Sequence, residues 1–156
     1  MTGRPASLPR ALVALPFVLL MAVPCSRLAA QSVIVSGDPG SLDIGTASAG
    51  APLDPASDVT TTYTVTTSAA GQRIVARLDA PMPAGVTLSI ELTAPTGAAS
   101  AGEVTLSTVD QTVVGAIPSA GSYSSLAITY RLSAATSAGR VLTDARSVVF
   151  TVVSGT

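Results

Sequence analysis

The side chains in this 156-residue sequence that could work as general acids or bases reduce to nine carboxylates: Asp38, Asp43, Asp54, Asp58, Asp79, Glu91, Glu103, Asp110 and Asp144. The chain has no His, Lys, Asn or Trp. A serine, threonine or cysteine nucleophile needs a neighbouring base to take its proton, usually His or Lys. The many hydroxyl residues are therefore expected to be strand faces and turns. Zinc and other transition metals favour Cys and His ligands, and a phosphate-cradling loop of the Walker type needs a Lys. These chemistries are excluded on residue type, and neither a metal nor a cofactor is expected. An enzyme would have to work with carboxylates alone, which requires Asp43, Asp54, Asp58 or Glu103 to cluster in a deep pocket.

None of these acids carries a recognisable pattern. The segment DIGT at 43–46 has Ile44 where an aspartic-protease turn has a hydroxyl residue, and no second copy exists; it reads as a strand end turning on Gly45. Asp54 and Asp58 lack the alternating acidic spacing and bidentate Glu of a calcium loop. Among the aromatics, Tyr63, Tyr130 and Phe150 fall in phase with apolar positions and are assigned to the core. Tyr123, in the GSYSS turn region, is left as the one candidate ligand contact, with carbohydrate as the natural ligand class.

The N-terminus sets an expected compartment. Arg4 and Arg10 precede an apolar stretch from Ala11 to Cys25, interrupted by Pro16 and Pro24 and followed by SRLAAQS. This is the layout of a secretory leader, shorter than the roughly 20 residues a membrane span needs. Cleavage after Ala30 is expected, giving a signal peptide at 1–30 and one mature domain at 31–156. Cys25 is the only cysteine; Pro24 stands where a lipidation signal has a small residue, so ordinary cleavage without a membrane anchor is favoured. The product is expected to be secreted, in the periplasm or at the cell surface of a bacterium. Five arginines against nine acids leave the chain beyond residue 30 mildly acidic, which argues against nucleic acid and anionic membranes as partners.

The elements that would position any site are strands. VTLSIELT and SLAITYRLS alternate strictly, with Val86, Leu88, Ile90 and Leu92 on one face of the first and Leu126, Ile128, Tyr130 and Leu132 on one face of the second. In VTTTYTVTT, Val59, Tyr63 and Val65 share a face opposite a threonine row. That row, Thr60 to Thr66, needs nothing beyond the strand propensity of Thr to explain it. In QRIVARLDA, Ile74, Ala76 and Leu78 point inward. SVIVS at 32–36, SLDIG at 41–45 and EVTLSTV at 103–109 are weaker strands. Short Gly- and Pro-containing links at 68–71 and 81–85 predict that strands 59–67, 72–80 and 86–93 form an antiparallel meander. The expected fold is all-β: a single Ig-like antiparallel β-sandwich of about seven to eight strands.

The ending RSVVFTVV differs from the other strands. Val148, Phe150 and Val152 make one apolar face, while Val149 and Val153 place hydrophobes on the other, and no Lys guards the segment. The simpler reading is a central strand whose outer valines lie under a loop; the alternative is a contact surface at an edge.

The leader, the SLDIGTASAG segment and the AITYRLSA…RSVVFTVV ending together resemble bacterial secreted pilin-like sandwiches of the spore-coat-U and fimbrial-subunit type. Leu42-Asp43-Ile44-Gly45 stands for their Leu-x-Phe-Gly-like segment. The penultimate aromatic of usher-assembled subunits and their common disulfide are absent here. The resemblance implies a non-enzymatic structural or adhesive surface protein assembled by strand exchange with copies of itself or other envelope subunits. It nominates Val33, Ile34 and Val35 in a donor segment, and Val149 and Val153 in an acceptor edge. The alternative is a secreted carbohydrate-binding module using Tyr123.

Overall fold

A computed structural model describes residues 31–45, 53–139 and 141–155. The expected leader, its cleavage point and Cys25 lie outside the described residues. The described residues form an antiparallel β-sandwich of nine strands: β1 (Ser32–Ser36), β2 (Ala56–Thr67), β3 (Gln72–Leu78), β4 (Val86–Leu92), β5 (Ala99–Ser100), β6 (Val104–Thr105), β7 (Gln111–Ile117), β8 (Gly121–Ala134) and β9 (Val148–Val153). A five-stranded sheet runs β1-β2-β8-β4-β6 and faces a four-stranded sheet running β5-β7-β3-β9. A single 3₁₀ turn, Thr136–Ala138, is the only helical element among the described residues.

The core forms where the two inner faces meet. Tyr63, Val65, Ile90, Leu92 and Ile128 from one sheet close on Ile74, Ala76, Leu78, Val113, Val114 and Ile117 from the other, all fully buried. Tyr63 and Tyr130 are core residues, and Phe150 packs against the same cluster. Alternation supplies this layering, because every second side chain of a strand falls on one face.

The meander does not form. β2 and β4 lie in the five-stranded sheet and flank β8 on its two sides, whereas β3 lies in the opposite sheet between β7 and β9. The links at 68–71 and 81–85 cross between layers instead of closing hairpins. Each strand can bury its apolar face this way while its neighbour in sequence supplies the facing wall.

Bulges account for the other departures. Asp58 pairs with Tyr130 and Thr61 with Ile128, so β2 carries one extra residue between them. The extra residue turns Val59 outward, where it is 64% exposed, while Thr61 keeps the inward phase of Tyr63 and Val65 and is fully buried. Asp58 fixes the bulge by accepting the Thr60 N–H at 3.0 Å and the Thr60 hydroxyl at 2.9 Å. Those bonds, the backbone one first, hold its carboxyl below the usual carboxylate range. A compensating bulge on β8 passes through Ser125 at φ 58°, and after it Val65 pairs with Tyr123. Residues 41–45 are not a strand, and of 103–109 only Val104–Thr105 is one.

Two substitutions test this packing. Thr61 is buried, and its Oγ1 has no partner at hydrogen-bond distance, exerting only a weak pull on the Asp58 carboxylate. Thr61→Val removes the unsatisfied hydroxyl at constant shape and is expected to raise stability by about 1 kcal/mol in urea unfolding. Gly85 sits at φ 78°, and a Cβ there would lie 2.9 Å from Ala138 Cβ. The Gly85 carbonyl also receives the Ala135 N–H at 2.8 Å. Gly85→Ala is expected to cost about 2 kcal/mol by the same assay, combining left-handed strain with overpacking.

Candidate strand-addition edge

The two sides of the sandwich are built differently. On one side the sheets end in β6 and β5, two residues each. Strands this short present few unpaired backbone groups. On the other side they end in β1 and β9, five and six residues long, and these two edges lie next to each other across the layers. Among the described residues β9 pairs with β3 alone, so there the strand is an edge and not a central strand. The reading of RSVVFTVV as a central strand is thereby overturned.

Register fixes what β9 exposes. Leu78 pairs with Val148, Ala76 with Phe150 and Ile74 with Val152, so these three β9 residues share the core face. Val149 and Val153 lie opposite Arg77 and Arg73 on the outer face, where Val149 is 37% exposed and Val153 half-buried. The Asp79 N–H donates to the Ser147 carbonyl at 3.0 Å. In an antiparallel ladder bonded pairs alternate with non-bonded ones. Val149, Thr151 and Val153 therefore bond to β3, while Val148, Phe150 and Val152 turn their N–H and C=O groups toward the open edge. The start of β9 is anchored: Ser147 N–H donates to Asp79 Oδ1 at 3.0 Å, Arg146 Nε to the Pro81 carbonyl at 3.0 Å, and Arg146 pairs with Asp144 at 2.7 Å.

β1 forms the neighbouring edge. Val33 pairs with Val65 and Val35 with Tyr63, so both face inward, yet Val35 is 37% exposed because among the described residues no strand continues the sheet beyond it. Ile34 pairs with Thr64 on the outer face and is 59% exposed. The segment nominated as a donor is thus already hydrogen-bonded to β2 of its own chain, and Val33 packs on the core. Giving it to another molecule would first uncover Tyr63 and Val65.

The four carboxylates singled out from the sequence, Asp43, Asp54, Asp58 and Glu103, do not converge. Asp43 and Asp54 are exposed, Asp58 is held in its bulge, and no group of three metal-ligating residues exists among the described residues. Glu103 alone of the four enters a depression of about 160 Å³ on the outer face of the five-stranded sheet, with Glu91, Ser89, Thr129 and Arg131. There Ser89 Oγ donates to Glu103 Oε1 at 2.5 Å, and Arg131 Nη1 lies 3.8 Å from Oε2. Both members of this ion pair are about half exposed, so it contributes little, on the order of 0–1 kcal/mol.

Tyr123 lies within β8, not in a turn. Its ring packs against the core, and its hydroxyl shares a 2.8 Å hydrogen bond with Ser119 Oγ.

Sequence reasoning missed β7, the two-residue β5 and the register shifts in the β2–β8 and β3–β7 pairings. The run QTVVGAI buries Val113 and Val114 in succession and passes through Ala116 at φ 52°, which breaks the period-two signal. Comparison with protein-family models, with curated proteins and with solved structures finds no match to this chain.

Proposed function

We propose that this chain is a secreted, non-enzymatic structural or adhesive protein of a bacterial surface or appendage, which joins its partners by β-strand addition at the β9 edge. One observation carries the reading: among the described residues β9 is an unpaired, uncharged edge with hydrophobes on both faces, beside the open β1. Proteins that stay monomeric blunt such edges with Lys, Pro, bulges or shortness. Here shortness guards only the opposite side. Main-chain bonding to an added strand supplies affinity, and pockets for alternate side chains supply selectivity. The leader-like N-terminus and the pilin-like sequence features support the compartment and the class.

The test is a charged edge. Thr151 is exposed on the outer face opposite Val75, between Arg73 and Arg77, so Thr151→Glu places its charge beside two arginines, and circular dichroism and the urea midpoint are expected to match the wild type. Native gels of envelope and culture fluid from expressing cells should show the wild type in species larger than a monomer and the variant mainly as monomer, its association roughly three- to tenfold weaker. A wild type found only as free monomer would overturn the reading.

A further inference from the structure

We infer that the partner β9 fits best is β9 of a second copy, paired antiparallel about a twofold axis at Phe150; this rests on the strand-addition reading above. Three features of the strand point there. Its open-edge groups belong to Val148, Phe150 and Val152, which are also the core-face residues. A partner strand must match both phases at once, and β9 matches itself: Val148 bonds to Val152 of the second copy, Phe150 to Phe150, and Val152 to Val148. Every open donor and acceptor of the strand is then used, and a shift by two residues in either direction leaves one of the three without its counterpart.

Charge permits the pairing. Residues 147–155 carry no ionisable side chain, so two copies meet without like-charge repulsion, and with no demand for an oppositely charged partner. The outer face is covered as well: Val149 falls opposite Thr151 of the second copy, which shields the valine left 37% exposed in the single chain. The same axis brings the two β1 edges toward each other in the second layer, where Val35 is open to the same degree. The result is an isologous interface that joins two four-stranded sheets into one and closes at two copies.

Disulfide trapping reads the register. In this arrangement residues 149 and 151 of opposite copies form a non-bonded pair with Cα atoms about 4.5 Å apart. That is within disulfide reach, whereas two copies of residue 149 stand roughly 8 Å apart and cannot link. Full-length chains carrying Cys25→Ser plus either V149C or T151C should give a cross-linked dimer as the main oxidised species when mixed, and none above background when oxidised separately. Linking of a single variant with itself, or no linking in the mixture, overturns the inference. Sedimentation of the wild type needs no substitution: a species that stops at two copies supports the twofold pairing. Longer assemblies without the 149–151 link overturn it while leaving strand addition standing, and a monomer at every concentration overturns both.

Discussion

Tyr63→Ala is expected to cost about 3–5 kcal/mol, enough to lower the melting temperature by roughly 10–20 °C. Tyr63 is fully buried between the sheets. It belongs to the same buried cluster as Val65, Ile74 and Ile128, and its hydroxyl donates to the Thr93 carbonyl at 2.6 Å. Truncation removes one of the largest apolar bodies in a chain with few aromatics, and the rigid inner faces of two sheets cannot collapse into the gap. Tyr63→Phe separates the two contributions, because it keeps the ring and loses only the hydrogen bond. The expected loss is about 1 kcal/mol, since Thr93 is exposed and water replaces the missing donor. Thermal and urea unfolding of both variants measure the difference.

Alkaline unfolding is the second large effect. Burial pushes the Tyr63 hydroxyl up to about 12 from an ordinary value of 10, and the Tyr130 hydroxyl moves the same way through burial and the nearby Asp58 and Asp38. The neutral phenol is thus the form the fold prefers. Below pH 10 both states hold the proton and the contribution is complete. Above pH 10 the unfolded chain releases its proton while the folded chain keeps it, so stability falls as pH rises. For Tyr63 the loss approaches roughly 2–3 kcal/mol by pH 12. Urea midpoints measured from pH 8 to pH 12 should decline most steeply above pH 10, and Tyr63→Phe should flatten that decline.

The architecture was readable where alternation is unbroken. VTLSIELT and SLAITYRLS have one apolar face each, and both lie side by side in the five-stranded sheet with Ile90 opposite Tyr130. Topology was not readable, because a two- to five-residue link looks the same in sequence whether it turns back within a sheet or crosses to the other layer. Alternation also hides bulges. Val59 sits in phase with Tyr63 and Val65 by counting, yet one extra residue reverses its face. β7 shows the converse case, in which Val113 and Val114 are both buried because the pairing with β3 slips twice.

The candidate edge was half legible. Two-sided apolarity in RSVVFTVV marked the segment as unusual, but periodicity says nothing about a strand's place in its sheet. Only the pairing of β3 with β7 on one side and β9 on the other shows that nothing lies beyond Val148–Val153 among the described residues. The same knowledge changes the standing of SVIV at 32–35. Its apolar run is spent in part on its own core, through Val33, and in part on an edge left open at Ile34 and Val35.

Amide hydrogen exchange within β9 tests the central claim most directly. At high dilution the N–H groups of Val148, Phe150 and Val152 should exchange fast while those of Val149, Thr151 and Val153 are protected by β3. On concentration, the first three should become protected as a strand is added. Protection of all six at the highest dilution would show the edge covered within its own chain, and fast exchange of the first three at every concentration would show that nothing pairs with it; either result contradicts the account.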